Sequence, residues 1–200
     1  MKNLRRIVTG HNEAGKSIIM IDGKPSRTVG EDVGGLFEIW NTDGKAINSF
    51  SNKDLADIDI ILSPIENGTK FRYFAIHPTP DGIPKEKLEA AAALAFEKIG
   101  AAHERIDTSK HHAMHQTKTI DYIILLEGDV TLLLDEDEVQ LKPFNVVVQR
   151  GTNHAWVNNG TEPLVRRVCS FIHVASLSPI SRRQLSWCVS SFRPHPSPSD

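Results

Sequence analysis

An all-β fold, a sandwich or barrel of antiparallel strands with one helical insertion, is what this sequence predicts. Three observations carry that reading. Short apolar runs recur along most of the chain, turn-forming residues fill nearly every gap between them, and a single segment has helical rather than strand periodicity. Strands alternating with helices, the mark of a parallel sheet, are absent from the pattern.

The expected strands fall in two groups. Residues 6–9, 17–21, 36–40, 57–62 and 70–76 come first; residues 120–126, 130–134, 139–141, 145–149, 155–157 and 164–174 follow. Asp22-Gly23, Asn41-Thr42-Asp43-Gly44, Glu66-Asn67-Gly68 and Asn159-Gly160 supply the turn chemistry between them. The acidic run from Asp135 to Glu138 suits a solvated hairpin turn between two apolar strands.

Residues 84–104 break the rhythm. Leu88, Ala91, Ala92, Ala95, Phe96 and Ile99 recur at helical spacing, and Pro84 fits a first turn. The apolar stripe suits a face packed outside a barrel or against a twin subunit. Lys85, Lys87 and Lys98 are balanced by Glu86, Glu89 and Glu97, which speaks against a membrane surface. Residues 177–200 are rich in Ser, Pro and Arg without periodicity, so the domain is expected over 1–176 with a disordered tail after it.

Composition narrows the function classes. A net charge of −2 with no basic run gives no case for nucleic acid. No stretch is long and apolar enough for a membrane span, and the basic N-terminus lacks the apolar run of a signal peptide. Two cysteines, Cys169 and Cys188, are too few for a disulfide framework, so reduced thiols and a cytoplasmic location are expected. With no phosphate-binding glycine loop, dinucleotide fingerprint or nucleophile elbow, no nucleotide cofactor is expected.

The residues able to do chemistry cluster between Met114 and Asn158. In a regular strand, His115, Thr117, Thr119 and Asp121 share one face, directed to a barrel interior. His154 lies in a Gly-bounded segment, Gly151 to Asn158, where a turn can aim its ring inward. Glu38 and Trp40, read as sharing a strand face, and Trp156 would cradle an oxygenated ring; the plainer reading of Trp40 and of Trp156 singly is a core residue. Arg150 would pair with an acidic group of a substrate or neutralise the 135–138 turn. His154 and Asp121 form a competent acid–base pair if they approach each other; a structural role for either is the plainer alternative.

These blocks resemble the paired motifs of the cupin superfamily. His115, Gln116, Thr117, Asp121 and Gly128 match its first motif in outline, and Gly151, His154 and Asn158 match its second. The blocks FEIW, TIDY, EGDV and VVVQRGTNHAWVN are similar to those of small fungal cupins that occur with polyketide biosynthesis genes and are described as cupin-domain oxidoreductases. The resemblance implies a jelly-roll-like β-barrel, a homodimer, and a tailoring role on a polyketide-type small molecule. It also implies a divalent metal (Fe, Mn, Zn, Ni or Cu) held by His115, Asp121 and His154, a ligand set that leaves coordination positions open. The departures are Thr117 where a second His is usual, Phe144-Asn145 in place of Gly-Asp, and Gln149 in place of Pro. The same pocket without metal would suit a dehydratase or cyclase using His154 and Asp121, and a non-catalytic ligand-binding barrel is the third reading.

Overall fold

Period-two burial sorts the strands into two sheets that face one another across an apolar core. The computed structural model describes residues 4–31, 34–45 and 51–160, together with the backbone of 171–176. The strands are β1 (Arg6–His11), β2 (Ser17–Gly23), β3 (Thr28–Val29), β4 (Gly34–Thr42), β5 (Thr69–Ile76), β6 (Ile120–Leu125), β7 (Val130–Leu134), β8 (Glu138–Leu141), β9 (Val146–Arg150), β10 (His154–Asn158) and β11 (Phe171–Ser176); helix α1 is Lys85–Lys98. Six strands form one sheet in the order β3-β4-β5-β11-β6-β9, three form a second in the order β10-β7-β8, and β1-β2 is a separate hairpin. Pairing is antiparallel throughout. Strand β11 lies between β5 and β6, which are separated in sequence by the helical insertion.

Ile123, Leu125, Val130, Leu132, Leu141 and Trp156 fill the space between the sheets, with Phe74, Ile76, Leu134 and Val147 packed around them. Phe74 meets Trp156 edge-on at 6.2 Å, a favoured aromatic geometry. Asn158 donates from Nδ2 to the Ile76 carbonyl at 2.7 Å and ties β10 to β5. The inner face of the large sheet changes character along the strands. Leu36, Phe74 and Leu125 lie in one cross-strand row and Glu38, Arg72, Ile123 and Val147 in the next. Asn41, Lys70, Asp121 and Gln149 follow, each row passing through the backbone of β11. One end of the barrel is thus apolar and the other polar.

Three expectations about elements are corrected. Residues 57–62 are not a strand. Although Ile58, Ile60 and Ile61 suit one, the segment instead turns its Ile61 and Leu62 carbonyls onto the Arg72 guanidinium at 2.9 and 3.0 Å. Its Leu62 amide donates to the Ile99 carbonyl. The helix stops at Lys98 rather than running to 104. Gly100, at φ +66°, supplies the left-handed residue of a Schellman ending: its amide bonds the Glu97 carbonyl and that of Ala101 bonds the Phe96 carbonyl. A short 3-10 turn, Ala102–Glu104, follows. Finally, regular pairing begins at Ile120, so His115 to Thr119 do not lie within a strand. The expected tail, both cysteines and residues 164–170 of the last expected strand lie outside the described residues.

The turn joining β8 to β9 carries a strained residue and so predicts its own cost. Phe144 occupies φ +69° and is 78 % exposed, so a bulky side chain sits in the left-handed region and has little packing to lose. Relief of strain outweighs the added freedom of the unfolded chain, so Phe144→Gly should raise unfolding stability by about 1 kcal/mol. Urea denaturation checks this; a lower midpoint in the variant would show the turn to be relaxed.

Candidate functional site

The turn that precedes β10 sets the site. Gly151 stands at φ +64°, a conformation that L side chains resist, and a Cβ there would approach the Thr117 carbonyl to 3.2 Å. Gln116 Nε2 donates to the Gly151 carbonyl at 2.7 Å, and Gln149 Nε2 holds the Thr152 carbonyl and hydroxyl from inside. So fixed, the turn delivers His154 to the first position of β10. There its backbone forms a two-bond antiparallel bridge with His115, N to O at 2.9 and 3.0 Å.

The bridge brings the two imidazoles together, with ring centroids 4.3 Å apart and planes tilted by 46°. Each ring is locked by its own chain: His115 Nδ1 lies 3.0 Å from the Ala113 carbonyl and His154 Nδ1 lies 3.0 Å from the Thr152 carbonyl. A carbonyl only accepts, so both Nδ1 atoms carry hydrogen, which makes Nε2 the nitrogen that can act as a base. Phe96 of α1 packs on His115 at 4.8 Å, and Trp156 meets His154 edge-on at 5.8 Å. The Arg105 guanidinium lies over Phe96 and also bonds Glu89 and the His112 carbonyl, which pins the helix over the pair. His111 and His112 flank the site half-buried. Burial, assisted by His112, pushes His111 down to about 4, and its Nδ1 accepts from the Ala113 amide.

A buried charged cluster occupies the inner face of the large sheet. Arg72 and Glu38 are 0 % and 1 % exposed as side chains and form an ion pair at 2.7 Å. With its nitrogen turned toward acceptors, the Asn41 amide donates to Glu38 Oε2 at 3.2 Å and to the Trp40 carbonyl at 2.9 Å. Burial depresses the Arg72 guanidinium, while Glu38, Asp121 and Glu104 oppose that depression, so all three carboxylates lie in its field. Ser63 donates to Glu104. Lys70 is also buried, and its amine is brought down to about 8 by desolvation; Glu38 opposes the shift and Arg72 adds to it. The Thr117 and Thr119 hydroxyls bond each other at 2.6 Å, both buried.

The predicted site residues therefore divide. His115 and His154 come together. Asp121 is buried and within the electrostatic reach of Arg72. Among the described residues no three His, Cys, Asp or Glu side chains converge on a metal-binding point. Glu38 is engaged with Arg72. The shared face expected for Glu38 and Trp40 is corrected by a β-bulge between them: Glu38 pairs in register with Arg72, whereas Trp40 pairs with Phe71, which points the other way. Arg150 is exposed on the face opposite the buried Gln149, so it does not line the barrel interior. Lys110 rather than Arg150 serves the acidic turn, donating to the Leu134 carbonyl at 2.7 Å. Trp156 is inward-facing and belongs to the core.

Arg72, Lys70 and Glu104 were not singled out by sequence reasoning, and Phe96 only as part of the helical stripe. The segment Lys70-Phe71-Arg72-Tyr73 alternates charge with aromatic, and the usual assignment sends aromatics inward. Here the charged face is the inner one.

No protein-family model matches the chain. It is 52 % identical over 163 residues to phomopsin biosynthesis cluster protein C' of Diaporthe leptostromiformis, covering 79 % of this chain and 72 % of that protein. It is 25 % identical over 166 residues to the cupin-domain-containing oxidoreductase fogC of Aspergillus ruber, covering 79 % and 67 % of the two chains. A shorter match, 46 % over 54 residues, covers 25 % of this chain and 28 % of the cupin-domain-containing oxidoreductase srdD of Neurospora crassa. With two apposed antiparallel sheets, the paired motifs and these relatives, the chain belongs to the cupin-domain proteins of fungal biosynthesis clusters.

Proposed function

We propose that this cupin is a tailoring enzyme of secondary metabolism, an oxidoreductase acting on a polyketide-type small molecule at the His115–His154 pair. The close pair itself carries the reading. Two imidazoles fixed as Nδ1–H tautomers present their basic nitrogens for proton uptake, for orienting a substrate hydroxyl, or for ligating a cation. The names of two relatives support redox chemistry. A metal ion would supply a redox or Lewis-acid centre when bound, with His115, His154 and Asp121 its proposed ligands; Asp121 would then have to exchange the field of Arg72 for the pair. Trp156, beside His154, is the proposed wall for an aromatic substrate. No helix among the described residues is long and apolar enough to cross a membrane. A homodimer through the outer face of β6 and β9, where Tyr122, Val146 and Val148 are exposed, belongs to the same proposal.

A second reading, metal-independent dehydration or cyclisation, is favoured by the same tautomer lock, which readies both rings as bases. Product formula separates the two. Purified protein is incubated aerobically with Fe(II) and an extract of pathway intermediates, and consumed and formed species are matched by high-resolution mass spectrometry. A product differing by two hydrogens or one oxygen is expected. An isomer, or a product lighter by one water, would overturn the oxidoreductase reading in favour of acid–base chemistry.

A further inference from the structure

A second chemical centre lies away from the imidazoles. A cleft of about 220 Å³ is lined by Leu55, Ile58, Ile61 and Ile65, with Asn41 and Lys70 from the large sheet and Asp43 and Lys53 among its remaining walls. It shares no lining residue with the His115–His154 pair. Lys70 is 2 % exposed, and its amine has no hydrogen-bond partner among the described residues. A buried, unbonded ammonium is expensive, and ordinary structural lysines are paired or extended into water. What this arrangement provides is a desolvated amine beside a second cation, Arg72, at an apolar cleft.

We propose that Lys70 is a carbonyl-capturing amine, and that a small apolar aldehyde or ketone entering this cleft condenses with its Nζ to a protonated imine. The nitrogen lone pair attacks the carbonyl carbon, forming the C–N bond as the π electrons move to oxygen. That oxygen takes one proton from the nitrogen and one from solvent. The C–O bond then breaks, water leaves, and the positive charge stays on nitrogen. The cation so formed takes the place of the ammonium in the field of Glu38. No oxidant, reductant or metal enters the balance. The groups that bear on the amine are Glu38 and Arg72 beside it, Asp121 across the sheet, and Asp43 and Lys53 at the cleft. With its amine near 8, Lys70 keeps a substantial neutral fraction at pH 7.5, whereas a surface lysine is about one part in a thousand neutral there.

The test is reductive trapping on the full-length protein. Butanal is added with sodium borohydride at pH 7.5, and modified lysines are mapped by peptide mass spectrometry. Wild-type protein should carry the butyl adduct on Lys70 at a yield roughly tenfold above any surface lysine, since lower basicity partly offsets the gain in neutral amine. Lys53→Ala should keep that adduct, and Lys70→Arg, which retains the charge, should lose it. Adducts spread over Lys53, Lys85 and Lys110 with Lys70 unmodified in folded wild-type protein would overturn the proposal. Trapping reads no turnover, so its outcome is independent of the reaction proposed for the imidazoles.

Discussion

Arg72→Met should destabilise the fold by about 3–5 kcal/mol, the loss typical of removing one partner from a buried ion pair. The Arg72 side chain is fully buried and holds Glu38 at 2.7 Å, while Asp121 and Glu104 share its field. It also takes the Ile61 and Leu62 carbonyls, so the loop over residues 57–62 is anchored by the same guanidinium. Methionine fills much of the volume and leaves the carboxylates uncompensated and the carbonyls without their donor. Glu38→Leu combined with Arg72→Met removes one buried charge of each sign and should recover roughly half of the loss, a coupling that urea denaturation of the single and double variants resolves. A loss below about 1 kcal/mol in the single variant would mean that the cluster is hydrated rather than a dry structural core.

The barrel was legible in the sequence because its strands obey period two and its turns carry the residues such turns require. Residues 70–76, 120–126 and 155–157 fall within a residue or two of β5, β6 and β10, and the turn at Gly151 leads directly into His154. The failures have physical causes. A bulge between Glu38 and Trp40 inverts one face without leaving a mark in composition. Residues 57–62 look like a strand, yet they contribute carbonyls to a cation that pattern reading had no reason to bury. Arg150 follows an inward residue in an edge strand, and alternation alone sends it outside once Gln149 is known to face in. The imidazole pair was legible as two separate histidines; that they meet rests on a backbone bridge between segments 39 positions apart in sequence.

The central claim is that this pair does the chemistry, and His154→Asn tests it most directly. The asparagine amide nitrogen can stand where Nδ1 stands and keep the bond to the Thr152 carbonyl, while the basic Nε2 is lost. The fold should therefore survive, with an unfolding midpoint close to that of the wild type. Loss of a positioned acid–base group costs about 100-fold to 10,000-fold in rate. The measurement is the rate at which wild type and His154→Asn form the product identified from the intermediate extract. A rate lowered at least about 100-fold in a folded variant is the predicted result. A rate within about twofold of wild type would contradict the account and move the chemistry away from the imidazole pair.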